Sequence, residues 1–446
     1  MDSLIAQQQA AGVPTSELAV RRRRAIQAAF WSEFIDMFDI YLPVIVLAPV
    51  LGYFQPARLT AANAAILTSL VFVTTLLGRP VGALLFGLLA DRLGRRSASI
   101  YSVSGFGVVT LLIALLPGHA TLGIASYWLL VLLRFVDGIF LGGGYTGAMP
   151  LAMEYARKDR RGFVGGLVLS GFCAAYVAIN LLAMLMFALF GQGGIQSAYA
   201  RWGWRIPFIV GALLAGVLAL YYRRQVAESE LWRLQAAAQP SSSPLRGLLR
   251  GKGAGPLLQV LLLMTGFWLT QNIITLFIPT GLLRDTLHLS GREVTSTLLY
   301  TYVLLFFSYI GAGMLGQRIG RRTFFLIAGP LIATVGAALL YVLSARGGRP
   351  LWMIALLVTV LAMLVTSPWG VIAPYINERF VTTMRATGFG LGFSASIILP
   401  SFYAFYLNWL GALVPSRIAP AILLCVGGLL GTVGALLGPE TRDVEL

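Results

Sequence analysis

The stretch Gly87-Leu88-Leu89-Ala90-Asp91-Arg92-Leu93-Gly94-Arg95-Arg96 returns 226 residues later as Gly313-Met314-Leu315-Gly316-Gln317-Arg318-Ile319-Gly320-Arg321-Arg322. Each copy closes one apolar run and opens the next. A second motif keeps nearly the same offset: Glu154 and Arg161 stand seven residues apart, as do Glu378 and Arg385, 224 residues on. Two matches at one separation imply two units of the same build. Parallel repeats related by an axis along the membrane normal hold their ligand between the halves, near the bilayer midplane.

Composition supports a membrane setting. Of 446 residues, 58% are hydrophobic and 11% charged, against about 25% charged in ordinary soluble domains. This excludes a soluble multidomain enzyme, a disordered chain and a disulfide scaffold. One membrane helix needs about 20 apolar residues. Twelve apolar runs are found, at 26–51, 62–90, 97–116, 123–152, 163–190, 205–222, 256–283, 294–317, 322–344, 350–376, 384–410 and 415–438. The expected fold is an all-α polytopic membrane protein with 12 transmembrane helices in two pseudo-symmetric six-helix bundles. Residues 1–25 and 439–446 read as cytoplasmic tails, 26–222 and 256–438 as the bundles, and 223–255 as a cytoplasmic central loop. Within that loop Gln239-Pro240-Ser241-Ser242-Ser243-Pro244 reads as a flexible joint. Arg21–Arg24 before an apolar run imitate a signal peptide, but that run carries Glu33, Asp36 and Asp39, which an apolar signal core would not.

The net charge is +16. Allotted to alternate sides of the twelve spans, 23 Lys and Arg fall on one side, with both termini and the central loop, and eight on the other. Basic residues retained in cytoplasmic loops set topology, so the charge marks orientation and not nucleic-acid binding. Arg outnumbers Lys 31 to 2, which suggests a GC-rich bacterial genome and hence a bacterial cytoplasmic (inner) membrane. Cys173 and Cys425 lie in apolar runs and read as small core residues.

These residues carry a family resemblance. Gly87-x-x-x-Asp91-Arg92-x-Gly94-Arg95-Arg96 resembles the loop signature of the major facilitator superfamily, and Arg134-Phe-Val-Asp-Gly138-Ile-Phe-Leu-Gly142-Gly143 its fourth-helix pattern. Phe38-Asp39, Arg79-Pro80-x-Gly82, Glu154-Tyr-Ala-x-x-x-Arg160-Arg161-Gly162, Trp202-Gly203-Trp204-Arg205-Ile206-Pro207, Arg385-Ala386-Thr387-Gly388 and Pro439-Glu440-Thr441 are similar to its metabolite:proton symporter and sugar-porter branches. Two positions depart from the pattern. Gln317 stands where the second-half signature has Asp, which predicts a weaker latch there. Gly144-Tyr145 stand where close metabolite-branch relatives often place an acid.

Ionisable side chains at membrane depth cost several kcal/mol and mark function or pairing. Six are expected there: Glu33, Asp36, Asp39, Arg79, Arg134 and Asp137, all in the first half. Glu33, Asp36 and Asp39 are spaced by three and form a stripe on one helix face. From helical rise, Asp39 lies about 20 Å from the cytoplasmic end of its helix and Arg134 roughly 16 Å from the outer end of its own. The resemblance implies that Asp39 is the proton-binding carboxylate and Arg134 its switch; the alternative is a permanent pair tying two helices. Arg79 has two readings, a structural pair with Asp36 or a receptor for a substrate carboxylate, which a guanidinium binds bidentately. Asp137, one turn beyond Arg134, reads as its local counter-charge.

The second half offers neutral groups for selectivity: Trp268, Gln271 and Asn272 on helix seven, Tyr300, Tyr302 and Tyr309 on helix eight, and Trp369 on helix ten. Tyr145, Tyr176 and Asn180 are expected to face them from the first half. The resemblance implies a cytoplasmic latch of Asp91, Arg92, Arg95, Arg96, Glu154, Arg161, Arg318, Arg322, Glu378 and Arg385, with Asp91 reaching Arg161 or a group near Arg134. Gly142-Gly143-Gly144 lacks the Lys-Ser/Thr of a phosphate loop, and neither a metal cluster nor a catalytic triad can be assembled. The expectation is a monomeric, cofactor-free secondary transporter, not an enzyme. Its partners are the bilayer, protons and a small metabolite, an organic acid by preference, carried in symport by alternating access. Proton-exchanging efflux of an amphiphile and a non-transporting nutrient sensor are the alternatives.

Overall fold

The computed structural model describes residues 15–56, 61–191, 196–230, 232–234, 244–345 and 348–446. Among these residues twelve segments are long and apolar enough to cross a membrane, and there is no strand. We number the spans in chain order. α1 is Thr15–Leu42, continued by a wide turn at Pro43–Leu47 and a tight one at Ala48–Tyr53. α2 is Ala61–Leu93, α3 Arg95–Leu115 and α4 Ala125–Tyr155. α5 joins Arg161–Leu169 to Gly171–Phe190, and α6 is Arg205–Gln225. α7 is Ala254–Asn272, continued by Ile273–Thr286, and α8 is Gly291–Ile319. α9 runs through Arg321–Leu331, Ile332–Gly336 and Ala337–Ser344; α10 through Leu351–Thr366 and Trp369–Arg379. α11 runs from Arg385–Ser394 to Tyr403–Leu413, and α12 is Ala419–Leu436.

The repeat explains the sharp joints between spans. Gly94 and Gly320 end α2 and α8 with φ of 105° and 103°, a region that favours glycine because a Cβ would clash. α7 widens around Pro279, and α11 breaks into tight turns around Pro400, since proline supplies no N–H to the helical ladder. Two boundaries differ from the sequence reading. α1 already begins at Thr15, so the last part of the expected tail is helical, and the central loop carries a short helix at Pro244–Arg250. Residues 239–243 of the expected joint lie outside the described residues, as do Arg58 and Arg346 of the charge count.

Glycines set how closely the spans approach. A Cβ at Gly138 would fall on the Thr75 carbonyl and one at Gly142 on the Arg79 carbonyl, so α4 lies directly against α2. That contact brings Arg79, Arg134 and Asp137 into one region. Between the halves, Gly87 meets the backbone of Thr387, and Gly162 and Gly313 meet each other's carbonyls. These two seams, α2 with α11 and α5 with α8, lie at the end of the bundle that holds the paired motifs; we call it the basic end. Leu85, Leu132, Leu189, Val217, Phe307 and Leu399 are exposed on the outer surface, as lipid-facing residues should be.

Candidate functional site

Two charged regions are built from the six expected intramembrane residues and the paired motifs. The first lies within the first half. Arg79 Nη2 donates to Asp36 Oδ2 at 2.8 Å, and Arg134 Nη1 to Asp39 Oδ2 at 3.1 Å. The same Arg134 nitrogen stands 2.8 Å from Asp137 Oδ2. Thr110 Oγ1 donates to Asp39 Oδ1 at 2.7 Å, and Arg134 Nε to Thr75 Oγ1 at 3.0 Å. Glu33 lies one turn from Asp36 toward the basic end. All six ionisable groups are at most 2% exposed. α1 supplies the carboxylate stripe, while the glycine-mediated approach of α2 and α4 supplies the guanidiniums.

Arg79 is not saturated by Asp36. Its guanidinium carbon sits 4.8 Å from the centre of the Tyr145 ring, and Nη1 has no acceptor in hydrogen-bond geometry. Tyr145 in turn meets the Ser394 hydroxyl across the halves and packs on Phe393, with ring centres 5.0 Å apart. Phe393 continues to Trp268 at 5.3 Å and Trp369 at 5.8 Å. An aromatic wall therefore leads from Arg79 into the second half. The Trp369 indole N–H, buried at its far end, makes no hydrogen bond.

The neutral candidates divide. Trp268 Nε1 donates to the Phe393 carbonyl at 2.8 Å and Asn272 Nδ2 to the Pro400 carbonyl at 2.9 Å. Both polar groups thus hold the broken α11. Asn180 Nδ2 is spent on the Tyr176 carbonyl of its own helix. Tyr176 stacks on Tyr302 across the halves at 3.8 Å, while the Tyr309 hydroxyl and the Gln271 side-chain oxygen are buried without a hydrogen-bond partner. Tyr300 is corrected: it is 52% exposed, because two residues along a helix from buried Tyr302 turn the side chain to the opposite side.

The second region is at the basic end, where the expected pairings are corrected. Asp91 does not reach Arg161. It pairs with Arg95 at 3.0 Å and accepts from the Ala386 and Thr387 N–H groups, at 3.2 and 3.0 Å, and from the Thr387 hydroxyl at 2.6 Å. It therefore caps the first turn of α11 across the halves. The seven-residue motifs exchange partners: Arg385 Nη1 donates to Glu154 Oε1 at 2.7 Å, while Arg161 stands 3.6 Å from Glu378. Within each half, Arg95 backs Glu154 at 3.5 Å and Arg321 backs Glu378 at 3.4 Å. Gln317 makes a neutral version of the Asp91 contact, accepting from the Gly162 N–H at 2.9 Å.

Arg92 and Arg318 leave the layer: their side chains are exposed. Arg96 and Arg322 cap the ends of α6 and α12, reaching the Tyr222 and Arg223 carbonyls and those of Ala435 and Leu436. Arg321 was missed, although the repeat itself aligns it with Arg95. Glu228 and Glu440 were also missed as a pair. Each accepts from the two N–H groups that follow the glycine joint, Arg95 and Arg96 for Glu228, Arg321 and Arg322 for Glu440. The hydroxyl beside each, Ser229 or Thr441, donates to Glu154 or Glu378. The signal was present: each half ends with Glu followed by Ser or Thr.

Comparison with known proteins agrees with this architecture. The family model of the Major Facilitator Superfamily matches residues 29–395. The chain is 31% identical to the alpha-ketoglutarate permease of Escherichia coli K12, over 86% of this chain and 85% of that protein. It is 28% identical to the inner membrane metabolite transport protein YhjE of the same strain, over 95% and 96%, and 29% identical to its shikimate transporter, over 95% of each. The proton:xylose symporter XylE, solved with a bromo-deoxyglucose bound, superposes with a TM-score of 0.75 at 17% identity, covering 95% of this chain and 97% of that one. With twelve apolar spans, a twofold internal repeat and crossed charge pairs joining its halves, the chain belongs to the Major Facilitator Superfamily and is a multi-pass membrane transporter rather than an enzyme.

Proposed function

We propose that the protein couples proton movement to uptake of a small carboxylate by alternating access in a bacterial inner membrane. The observation that carries this is the buried Asp39–Arg134 pair, which joins α1 to α4 at a depth where an ion pair is costly unless used. Asp39 is the proton-binding group and Arg134 its switch. Arg79 supports the carboxylate preference: half of its fork is engaged by Asp36, and the other half faces the aromatic wall with a donor to spare. Tyr145, Trp268, Trp369, Gln271 and Tyr176 line the path that the substrate body takes, while Asn272 and Asn180 position the helices around it. The relatives' names point the same way, since alpha-ketoglutarate and shikimate both carry carboxylates. The name proton:xylose symporter supports the coupling ion.

The basic end faces the cytoplasm by the excess of Arg and Lys there. Residues 26–222 and 256–438 rock as two bodies, with 223–255 as the joint. The Asp91, Glu154 and Glu378 contacts close that end when the opposite end is open.

The test is proton movement in proteoliposomes carrying a pH dye, with the intact protein beside Asp39→Asn and a panel of carboxylates, sugars, polyols and betaines. A carboxylate that alkalinises the outside, with the signal lost in the variant, is the expected result. Asp39→Asn should lose accumulation against a gradient yet keep exchange of labelled for unlabelled substrate. Proton-coupled accumulation that persists in Asp39→Asn removes the reading. Proton movement triggered by amphiphiles in the opposite direction would establish efflux instead.

A further inference from the structure

Buried charges in the first half do not balance. Among the described residues, Glu33, Asp36, Asp39 and Asp137 face two guanidiniums, Arg79 and Arg134, and all are at most 2% exposed. Fully ionised, this region would hold two uncompensated negative charges away from water, a state that protein interiors avoid by neutralising the group. The ion pairs place two acids beside each arginine, with Asp36 also facing Asp39 and Asp137 across the two groups. Around Arg134, Asp39 and Asp137 stand against one nitrogen, Nη1, and against each other. Around Arg79, Asp36 takes Nη2, while Glu33 interacts with both Asp36 and Arg79 and leaves Oε2 without a hydrogen-bond partner.

We infer that the protein holds two bound protons in this conformation, one on Asp137 beside Asp39 and Arg134 and a second shared by Glu33 and Asp36 around Arg79. Two carboxylates facing one cation are neutral as a group when a single proton lies between them. The groups around Glu33 are Asp36 on its own helix, Arg79 from α2 and the Cys173 thiol from α5, and among the described residues no second cation stands beside it. This second centre lies on the substrate-facing arginine. A substrate carboxylate arriving at Arg79 Nη1 meets a site already neutral, and an ionised Glu33 would repel it. The inference deepens the proton-coupled reading by adding a proton at the substrate end of the carboxylate stripe.

Infrared spectroscopy of the intact protein in an ester-free maltoside detergent reads the bound protons directly, through the C=O stretch that carboxylic acids show and carboxylates lack. No transport is involved, so its failure is separate from failure of the symport reading. At neutral pH the intact protein should show this band. Glu33→Gln should remove one component, because Asp36 then pairs with Arg79 as an ion. Asp137→Asn should remove the other, and the double variant both. A band absent from the intact protein, unchanged in Glu33→Gln or surviving in the double variant overturns the inference. If the variants fail to fold, alkaline titration of the intact protein decides: loss of the band in two steps supports two centres, and a single step overturns them.

Discussion

The core of the first half and the layer at the basic end use the same side chains to opposite effect. In the core, four carboxylates face two guanidiniums, and few other donors reach them. In the layer, Asp91, Glu154, Glu228, Glu378 and Glu440 stand among Arg95, Arg96, Arg161, Arg321, Arg322 and Arg385, so cations are in slight excess. Main-chain carbonyls take part of the surplus guanidinium N–H groups, Arg161 on Val444 at 2.7 Å, Arg95 on Thr382 at 2.7 Å, and Arg385 on Asn377 and Phe380 at 3.2 and 3.3 Å, while Arg95 Nε, Arg161 Nε and Arg321 Nη1 are buried without an acceptor. A carbonyl dipole solvates a cation without a proton, whereas a surplus carboxylate must find a donor. The layer can therefore open and close with its charge pattern fixed, and the core is left as the place where charge can change. The difference also has direction. The layer's Arg385–Glu154, Arg161–Glu378 and Asp91–Thr387 contacts cross between the halves and resist their separation, while the core's ion pairs lie inside one half and can alter without opening the seams.

The hardest way to break this contrast is to remove a core cation. Arg134→Leu leaves Asp39 and Asp137 facing each other, and removal of one partner from a buried pair costs about 3–5 kcal/mol. A fall in thermal stability and loss of all uptake are expected; a variant as stable as the parent would show that the acids do not depend on Arg134. The layer should respond differently. Glu154→Gln and Glu378→Gln each remove one crossed pair, so each should lower stability by about 1–3 kcal/mol and raise labelling of a cysteine placed at the basic end. Equal labelling in parent and variants would mean that the crossed pairs do not hold the end closed.

Arg79→Lys sharpens the core reading. A lysine keeps the point charge beside Asp36 but loses the fork. Stability should fall less than on removing the charge, because the cation beside Asp36 is kept, while the Michaelis constant for a carboxylate substrate rises, as uptake kinetics would show. An unchanged constant would make Arg79 structural. The smallest effect is expected from Gln317→Asp. The amide already reaches the Gly162 N–H, so a carboxylate there should shift melting by no more than about 0.5 kcal/mol. Asp91→Asn, which loses the ion pair with Arg95, should cost more in the same measurement. Equal effects would remove the asymmetry between the two latches.

Much of this was legible in the chain. Twelve apolar runs, the 226-residue repeat and six ionisable residues within the spans follow from hydropathy and spacing, which are one-dimensional properties. The helical period also placed Glu33, Asp36 and Asp39 on one face, because residues on one helix have no freedom to be elsewhere. Partner choice was not legible in this way. Glu154 and Arg161 look like a local pair at seven residues, yet they stand on opposite sides of a helix joint, and each finds its partner across the molecule. Whether Tyr300 or Tyr302 turns inward depends on the rotation of α8 against α5, which the carbonyl contact between Gly162 and Gly313 decides. Sequence alone determined the number of spans, the twofold build and the places where charge enters the membrane, since each of these is a property of one helix at a time. Only the tertiary structure decided which cation each carboxylate meets and that the core is left with surplus acid, because those depend on the distances between helices.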